Sequence, residues 1–133
     1  MMPNKKESAD YMELIKRKKS MIGFDYENEK ECLATVKQRG FALEYVKEQT
    51  PEICLEAVKR NGLALEYVNE QTPEICLAAV KQCGLVLQYV KEQTPEICIA
   101  AMKNSHYCII YVDDLHFLLD DNGNSLLNYP DED

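Results

Sequence analysis

The stretch that decides the fold is TPEICLEAVKRNG, which runs from Thr50 to Gly62. Thr50 is a good helix N-cap because its hydroxyl can accept a backbone N–H, and Pro51 suits the first helical position, where the missing donor is not needed. Glu52 places a negative charge at the positive end of the helix dipole. Gly62 is predicted to take the left-handed conformation that ends many helices. The stretch therefore predicts a helix of about ten residues.

Most positions of this predicted helix are apolar, and the polar positions form one narrow stripe. The stripe consists of Glu52, Glu56, Lys59 and Arg60. So wide an apolar surface has to be buried on most of its sides. Because isolated helices of this length are only marginally stable in water, neighbouring segments must supply the contacts.

The chain repeats this unit in tandem. EQTPEIC begins at Glu48, Glu70 and Glu92, so each copy starts 22 residues after the one before. The four registers read ECLATVKQRGFALEYVKEQTP, EICLEAVKRNGLALEYVNEQTP, EICLAAVKQCGLVLQYVKEQTP and EICIAAMKNSHYCIIYV. Short tandem units are typical of solenoids, in which each unit buries its apolar face against the next.

The second half of each unit is shorter and leaves two readings open. We predict a two-turn helix for LALEYVNEQ, because Ala, Leu, Glu and Gln favour helices. The alternation of Leu63, Leu65 and Tyr67 is also compatible with a strand, which would make the protein an α/β solenoid. The preferred fold class is all-α, a short α-solenoid of about four 22-residue helix-turn-helix repeats with N- and C-terminal caps.

The predicted organisation has three parts. Residues 1–28 are a basic N-terminal capping helix and half-repeat, with Asn28 as the N-cap of the first repeat. Residues 29–112 are the four-repeat helical array, and residues 113–133 are an acidic C-terminal cap or tail. Residues 113–133 contain seven acidic side chains and no Lys or Arg, and the whole chain has a formal net charge of -8.

The repeat units resemble a known family. EICLAAVKQCGLVLQYVKEQTP and EICLEAVKRNGLALEYVNEQTP are similar to the tandem repeats called domain of unknown function 4116, which are abundant in giant viruses of amoebae and in some amoeba-associated bacteria. The resemblance covers about residues 29–112. It implies an all-helical repeat without established catalytic residues, and a location in the cytoplasm of an infected cell or in a virion.

Composition excludes several classes of function. The net negative array repels phosphate backbones, so general nucleic-acid binding is disfavoured. No apolar run approaches the ~20 residues of a membrane helix, and the charged first 20 residues lack a secretory signal. We therefore expect a cytoplasmic protein without a membrane segment.

The cysteines are predicted to be structural. Four of them share one position of the repeat, namely Cys32, Cys54, Cys76 and Cys98. Stacked repeats would hold these positions ~8 to 10 Å apart, beyond disulfide reach, and the spacing does not match a zinc site. Cys108 and His106 lie two residues apart without an oxyanion motif, so we predict no enzyme activity, no cofactor and no metal.

Two rows of side chains are candidates for an interaction surface. The first is Tyr45, Tyr67, Tyr89 and Tyr111, and the second is Gln49, Gln71 and Gln93. The tyrosines either form a recognition surface or, as we prefer, pack between repeats. The glutamines either bind a partner, as loop edges of solenoids often do, or bond to the next turn.

The basic residues favour structural roles. Lys37, Lys59, Lys81 and Lys103 are interpreted as charges at helix C-termini in preference to a phosphate-binding row. The run Lys16-Arg17-Lys18-Lys19 is interpreted as the solvated face of a helix beginning near Ser8, with a nuclear import signal as the alternative.

The tail segment DDNGNS permits a weak metal hypothesis. Asp120, Asn122, Asn124 and Asp131 fall at positions 1, 3, 5 and 12 of a calcium loop, but Ser125 stands where that loop requires Gly. A plain turn at Asn122-Gly123 joining FLL to SLL is the preferred interpretation.

The sequence thus predicts a non-enzymatic helical-repeat protein that acts as a protein–protein interaction module or scaffold. Its partner would be another protein. The alternative is a small structural virion or assembly component that self-associates.

Overall fold

The computed structural model describes residues 28–127 and shows four repeats, each an α-helix followed by a short 3₁₀-helix. The α-helices are α1 (Glu29–Gln38), α2 (Pro51–Arg60), α3 (Pro73–Gln82) and α4 (Pro95–Asn104). The 3₁₀-helices are η1 (Gly40–Tyr45), η2 (Gly62–Tyr67), η3 (Gly84–Tyr89) and η4 (His106–Tyr111), and η5 (Leu115–Leu118) follows the last repeat. The predicted helix near Ser8 and the run Lys16-Arg17-Lys18-Lys19 lie outside the described residues.

The α-helices begin where the sequence predicts. Thr50 accepts a hydrogen bond from the backbone N–H of Ile53 at 3.2 Å, with Pro51 in the first turn. Thr72 and Thr94 cap α3 and α4 in the same way. The predicted cap of α1 is also confirmed, since Asn28 Oδ1 accepts from the Glu31 N–H at 3.1 Å.

The all-α prediction is confirmed, but the second element of each repeat is a 3₁₀-helix and not the predicted two-turn α-helix. No strand occurs within residues 28–127, so the α/β alternative is wrong for this part of the chain. A 3₁₀-helix has three residues per turn and therefore presents every third side chain on the same side. In η2, Leu63 and Glu66 are exposed while Ala64 and Leu65 are buried. The residues after Tyr67 leave the helix and lead to the next Thr cap.

Successive repeats stack through both kinds of element. Each α-helix packs against the next α-helix and against the 3₁₀-helix of the preceding repeat, and each of η1 to η3 packs against the following 3₁₀-helix. The core is continuous along the array because equivalent positions are buried in successive repeats. Fully buried side chains include Leu43, Ile53, Leu65, Leu87, Val36, Val58 and Val80. Stacking therefore provides the apolar contacts that no single helix could provide alone.

The repeat glycines are required for close packing, which corrects the prediction for Gly62. Among residues 28–127, Gly123 is the residue with a positive φ, so Gly62 is not left-handed. A Cβ placed on Gly62 would lie 2.6 Å from the carbonyl oxygen of Ala79, and one on Gly84 would lie 2.4 Å from that of Ala101. Glycine thus lets the next α-helix approach the start of η1, η2 and η3.

A small cap closes the array. The η5 helix packs against α4 and buries Leu118. The chain then turns through Asn122 and Gly123, whose φ is +80°, and an antiparallel bridge pairs Leu119 with Ser125. The predicted turn at Asn122-Gly123 is confirmed.

Candidate interaction surface

The 3₁₀-helices together form one exposed face of the array. Because residues three apart eclipse one another in a 3₁₀-helix, each repeat presents its second and fifth residues on this side. The second residues form an apolar row of Phe41, Leu63, Leu85 and Tyr107, which are 45%, 37%, 39% and 82% exposed. The fifth residues form an outer row of Glu44, Glu66, Gln88 and Ile110, all exposed. We call these two rows the 3₁₀ face.

The tyrosine row borders this face. Tyr45, Tyr67, Tyr89 and Tyr111 are half-buried and pack against the core, as the preferred interpretation requires. The ring of Tyr67 also meets the ring of Phe41 edge to face, with centroids 6.3 Å apart and planes at 83°. Tyr67 therefore supports Phe41 of the apolar row, and direct contact of the tyrosines with a partner stays a prediction.

The charge on the 3₁₀ face is negative in its first half. The four 3₁₀-helices η1 to η4 contain Glu44 and Glu66 but no Lys or Arg. The pKa of the Tyr67 hydroxyl is raised by the charge of Glu44, by burial, and by the charge of Glu66, because each disfavours the phenolate. These two carboxylates thus act on the same part of the surface.

A groove begins beside η1. Its volume is about 740 Å³, and its lining includes Phe41, Glu44 and Tyr45. Arg39 and Arg60 also line it, and Arg60 Nε donates to the carbonyl of Gln38 at 3.1 Å. The groove therefore combines aromatic side chains with charges of both signs.

The glutamine row joins each repeat to the next. Gln71 Nε2 donates to the carbonyl of Tyr89 at 2.7 Å, and Gln71 Oε1 accepts from the Lys91 N–H at 2.9 Å. The same Oε1 accepts from the thiol of Cys76 at 3.4 Å. Gln49 and Gln93 make the equivalent three bonds. The glutamines thus bond to the backbone of the following repeat and not, as the structural alternative predicts, to the next turn. Binding of a partner by this row stays a prediction.

The four equivalent cysteines are buried, as predicted, and all six cysteines are free thiols. Burial raises the pKa of the Cys54 thiol to about 11 and that of Cys98 to about 11, because a thiolate is poorly solvated in the core. Burial also raises the pKa of Cys108, which is fully buried, while His106 is exposed. The structure therefore places Cys108 where a protonated thiol is favoured.

The lysine row lies in the last turns of the α-helices, as predicted. Side chains of the following repeat bond to carbonyls at these helix ends, so the helix ends are also linked between repeats. Gln82 Nε2 donates to the carbonyl of Lys59 at 2.7 Å, and Asn104 Nδ2 donates to that of Lys81 at 3.1 Å.

The calcium hypothesis finds no support in the described part of the chain. Asp120 Oδ1 accepts the backbone N–H groups of Asn122 and Asn124 at 2.9 and 2.8 Å, so this carboxylate shapes the turn. Asp131 lies outside the described residues. Within residues 28–127, no group of three or more His, Cys, Asp or Glu side chains is arranged to hold a metal ion.

None of the helices in residues 28–127 combines the length and the apolar character needed to cross a membrane.

Comparison with known families decides the assignment. The sequence matches the family described as Domain of unknown function (DUF4116) in three overlapping segments, residues 30–72, 50–94 and 72–116. The chain belongs to this family. No curated protein and no solved structure matches it. The DUF4116 repeat of this chain is thus an α-helix followed by a 3₁₀-helix. The 3₁₀-helix begins with Gly in the first three repeats and with His106 in the fourth.

The sequence reading missed the apolar row. The strand alternative puts Leu63 and Leu65 on one face, whereas Leu63 is exposed and Leu65 is buried, on opposite sides of η2. The missed signal is the recurrence of a bulky apolar residue directly after each repeat glycine, as in Phe41 and Leu85, followed three residues later by a polar one. That three-residue period is typical of a 3₁₀-helix.

Proposed function

We propose that this DUF4116 protein is a non-enzymatic interaction module whose 3₁₀ face binds another protein. The observation that carries the proposal is the apolar row, whose four side chains are 37% to 82% exposed at one position of four consecutive repeats. Contiguous exposed apolar side chains commonly mark protein–protein contacts. The half-buried tyrosines add aromatic area, which is enriched in interfaces.

The chemistry of the array supports binding in preference to catalysis. The buried thiols of Cys54 and Cys98 have pKa values of about 11, so few thiolates exist near neutral pH. Six free thiols also fit a reducing compartment, and this supports our proposal that the protein acts in the cytoplasm.

The test is a capture experiment with matched variants. Leu63→Ser with Leu85→Ser removes the centre of the apolar row, and Leu115→Ser with Leu126→Ser removes similarly exposed leucines from the cap. We expect the row variant to lose a protein captured by the unchanged chain, while the cap variant retains it. Equal capture by both variants, at matched thermal stability, would contradict the proposal.

A second candidate function is self-association of an assembly component, virion-borne if the protein is viral. Ile109 is 46% exposed, whereas the equivalent Leu43, Leu65 and Leu87 are fully buried by the next repeat. The apolar end of the array could therefore cover itself with another copy. Light scattering after size exclusion tests this. We expect the unchanged chain to form a discrete oligomer and the double variant Ile109→Ser with Ile110→Ser to be a monomer. An unchanged chain that is a monomer at all concentrations would contradict self-association.

A further inference from the structure

We propose that the partner segment recognised by the 3₁₀ face is an extended basic peptide, with cationic side chains at Glu44 and Glu66 and apolar side chains beside Gln88 and Ile110. This inference rests on the proposed function, because it specifies the chemistry of the ligand for the same face.

The sign of the ligand follows from the charges of the face. Glu44 and Glu66 are exposed, and η1 to η4 contain no Lys or Arg, although Arg39 and Arg60 line the groove that also contains Glu44. The loops that follow η1, η2 and η3 contain three acidic residues and two basic ones, namely Glu48, Glu70, Glu92, Lys47 and Lys91. Asp113 and Asp114 follow η4. A cationic side chain gains from complementarity with this surface, whereas an acidic segment is repelled.

Arg39 and Arg60, which lie beside η1, have no basic counterparts further along the array. Arg39 and Arg60 lie beside η1, and Arg60 is bonded to the carbonyl of Gln38. The equivalent positions in later repeats hold neutral residues. Arg39 corresponds to Asn61, Cys83 and Ser105, and Arg60 corresponds to Gln82 and Asn104. The later repeats therefore have no counterpart of the two arginines that lie beside η1.

The polarity of the ligand follows from the change along the outer row. This row reads Glu, Glu, Gln and Ile from η1 to η4, while the apolar row stays apolar throughout. The first two repeats thus offer carboxylates beside apolar side chains, and the last two offer mainly apolar contact. A complementary peptide has its basic residues at one end and its apolar residues at the other.

The spacing of the ligand follows from the stacking of the repeats. Packed helices lie roughly 8 to 10 Å apart, and an extended chain in the polyproline II conformation advances about 3.1 Å per residue with three residues per turn. One repeat therefore corresponds to about three peptide residues, or one turn of such a peptide. A peptide of about 12 residues in this conformation spans the four repeats and presents every third side chain to the 3₁₀ face.

The experiment measures binding of synthetic peptides to the full chain by fluorescence anisotropy. The first peptide is a 12-mer with Arg at positions 1 and 4, Leu at positions 7 and 10, and Ser and Gly elsewhere. The second has the same composition but alternates Arg and Leu at these four positions, and the third replaces Arg with Glu. We expect the first peptide to bind most tightly, with an affinity that falls as salt is raised.

Matched variants locate the binding. Glu44→Gln with Glu66→Gln should weaken the first peptide about 3- to 10-fold, as loss of two exposed ion pairs implies. Glu74→Gln with Glu96→Gln makes the same charge change on exposed positions of α3 and α4 and should change affinity less than about twofold. Equal weakening by both pairs, or equal binding of all three peptides, would overturn the inference.

Other occupants give different results. If the chain's own basic run covers the face, changing Lys16, Arg17, Lys18 and Lys19 to Gln strengthens peptide binding at least tenfold. If a second copy covers it, Glu44→Gln with Glu66→Gln abolishes a dimer seen by light scattering. Either result would overturn assignment of the face to a partner's peptide. If no peptide binds but capture still depends on Leu63 and Leu85, the proposed function stands and this inference fails.

Discussion

The third and fourth repeats are built from nearly the same helix but differ in what lies beyond them. In the third repeat, Leu87 is fully buried and Gly84 touches the backbone of α4. In the fourth, the equivalent Ile109 is 46% exposed and His106 replaces the glycine. A side chain at this position blocks the close approach of another α-helix, so His106 is compatible with an array that ends here. The comparison teaches that each repeat depends on the one after it.

The largest expected difference concerns the leucine position of the 3₁₀-helix. Leu65→Ala removes a fully buried side chain between two repeats and should cost about 2 to 4 kcal/mol. Ile109→Ala removes the equivalent side chain at the exposed end and should cost less than about 1 kcal/mol. Urea unfolding of both variants measures the loss in free energy of unfolding. Equal losses would mean that Ile109 is covered like the equivalent leucines of the other repeats.

The glycine position should show the next largest difference. Gly84→Ala places a Cβ 2.4 Å from the Ala101 carbonyl, so the helices must separate, at a cost of about 1 to 3 kcal/mol. His106→Ala adds no Cβ at the equivalent position of the fourth repeat, so no such overlap arises, and it should cost less than Gly84→Ala. Thermal unfolding measures the stability of the two variants relative to the unchanged chain. A stabilised Gly84→Ala variant would show that glycine serves no packing role.

The glutamine position should give a smaller and local effect. Gln93→Ala removes the bonds to Tyr111 and Asp113, which hold the fourth repeat, at a cost of about 1 to 2 kcal/mol. Amide hydrogen exchange should therefore accelerate in η4 and η5 and remain unchanged in α1 and α2. Gln88→Ala is the control, because this exposed side chain bonds only within η3, to Leu85. Faster exchange throughout the array would contradict the local role of Gln93.

Much of the fold could be predicted from local chemistry. The Thr50-Pro51-Glu52 start, the ten-residue helices and the buried cysteines follow from capping, periodicity and burial, which are visible within one repeat. The form of the second element could not be predicted in this way. Leu63 is apolar yet exposed, so the three-residue period of η2 is hidden when apolar residues are assumed to be buried.

Features that depend on contact between repeats were the least predictable. Gly62 is compatible locally with a left-handed helix end, and only the approach of Ala79 shows why glycine is required. Gln71 likewise needs Tyr89 and Lys91, which lie 18 and 20 residues away. The candidate surface has the same origin, because its rows exist only once the repeats stack.

Lengthening the array tests the central claim that these repeats stack as interchangeable units. Inserting a second copy of residues 73–94 after Thr94 adds one α-helix, one 3₁₀-helix and one interface while keeping the end at His106. Stacking predicts a higher free energy of unfolding and a steeper dependence on urea, since more surface is buried. A lengthened chain that unfolds at the same or lower urea concentration, with an unchanged slope, would contradict it.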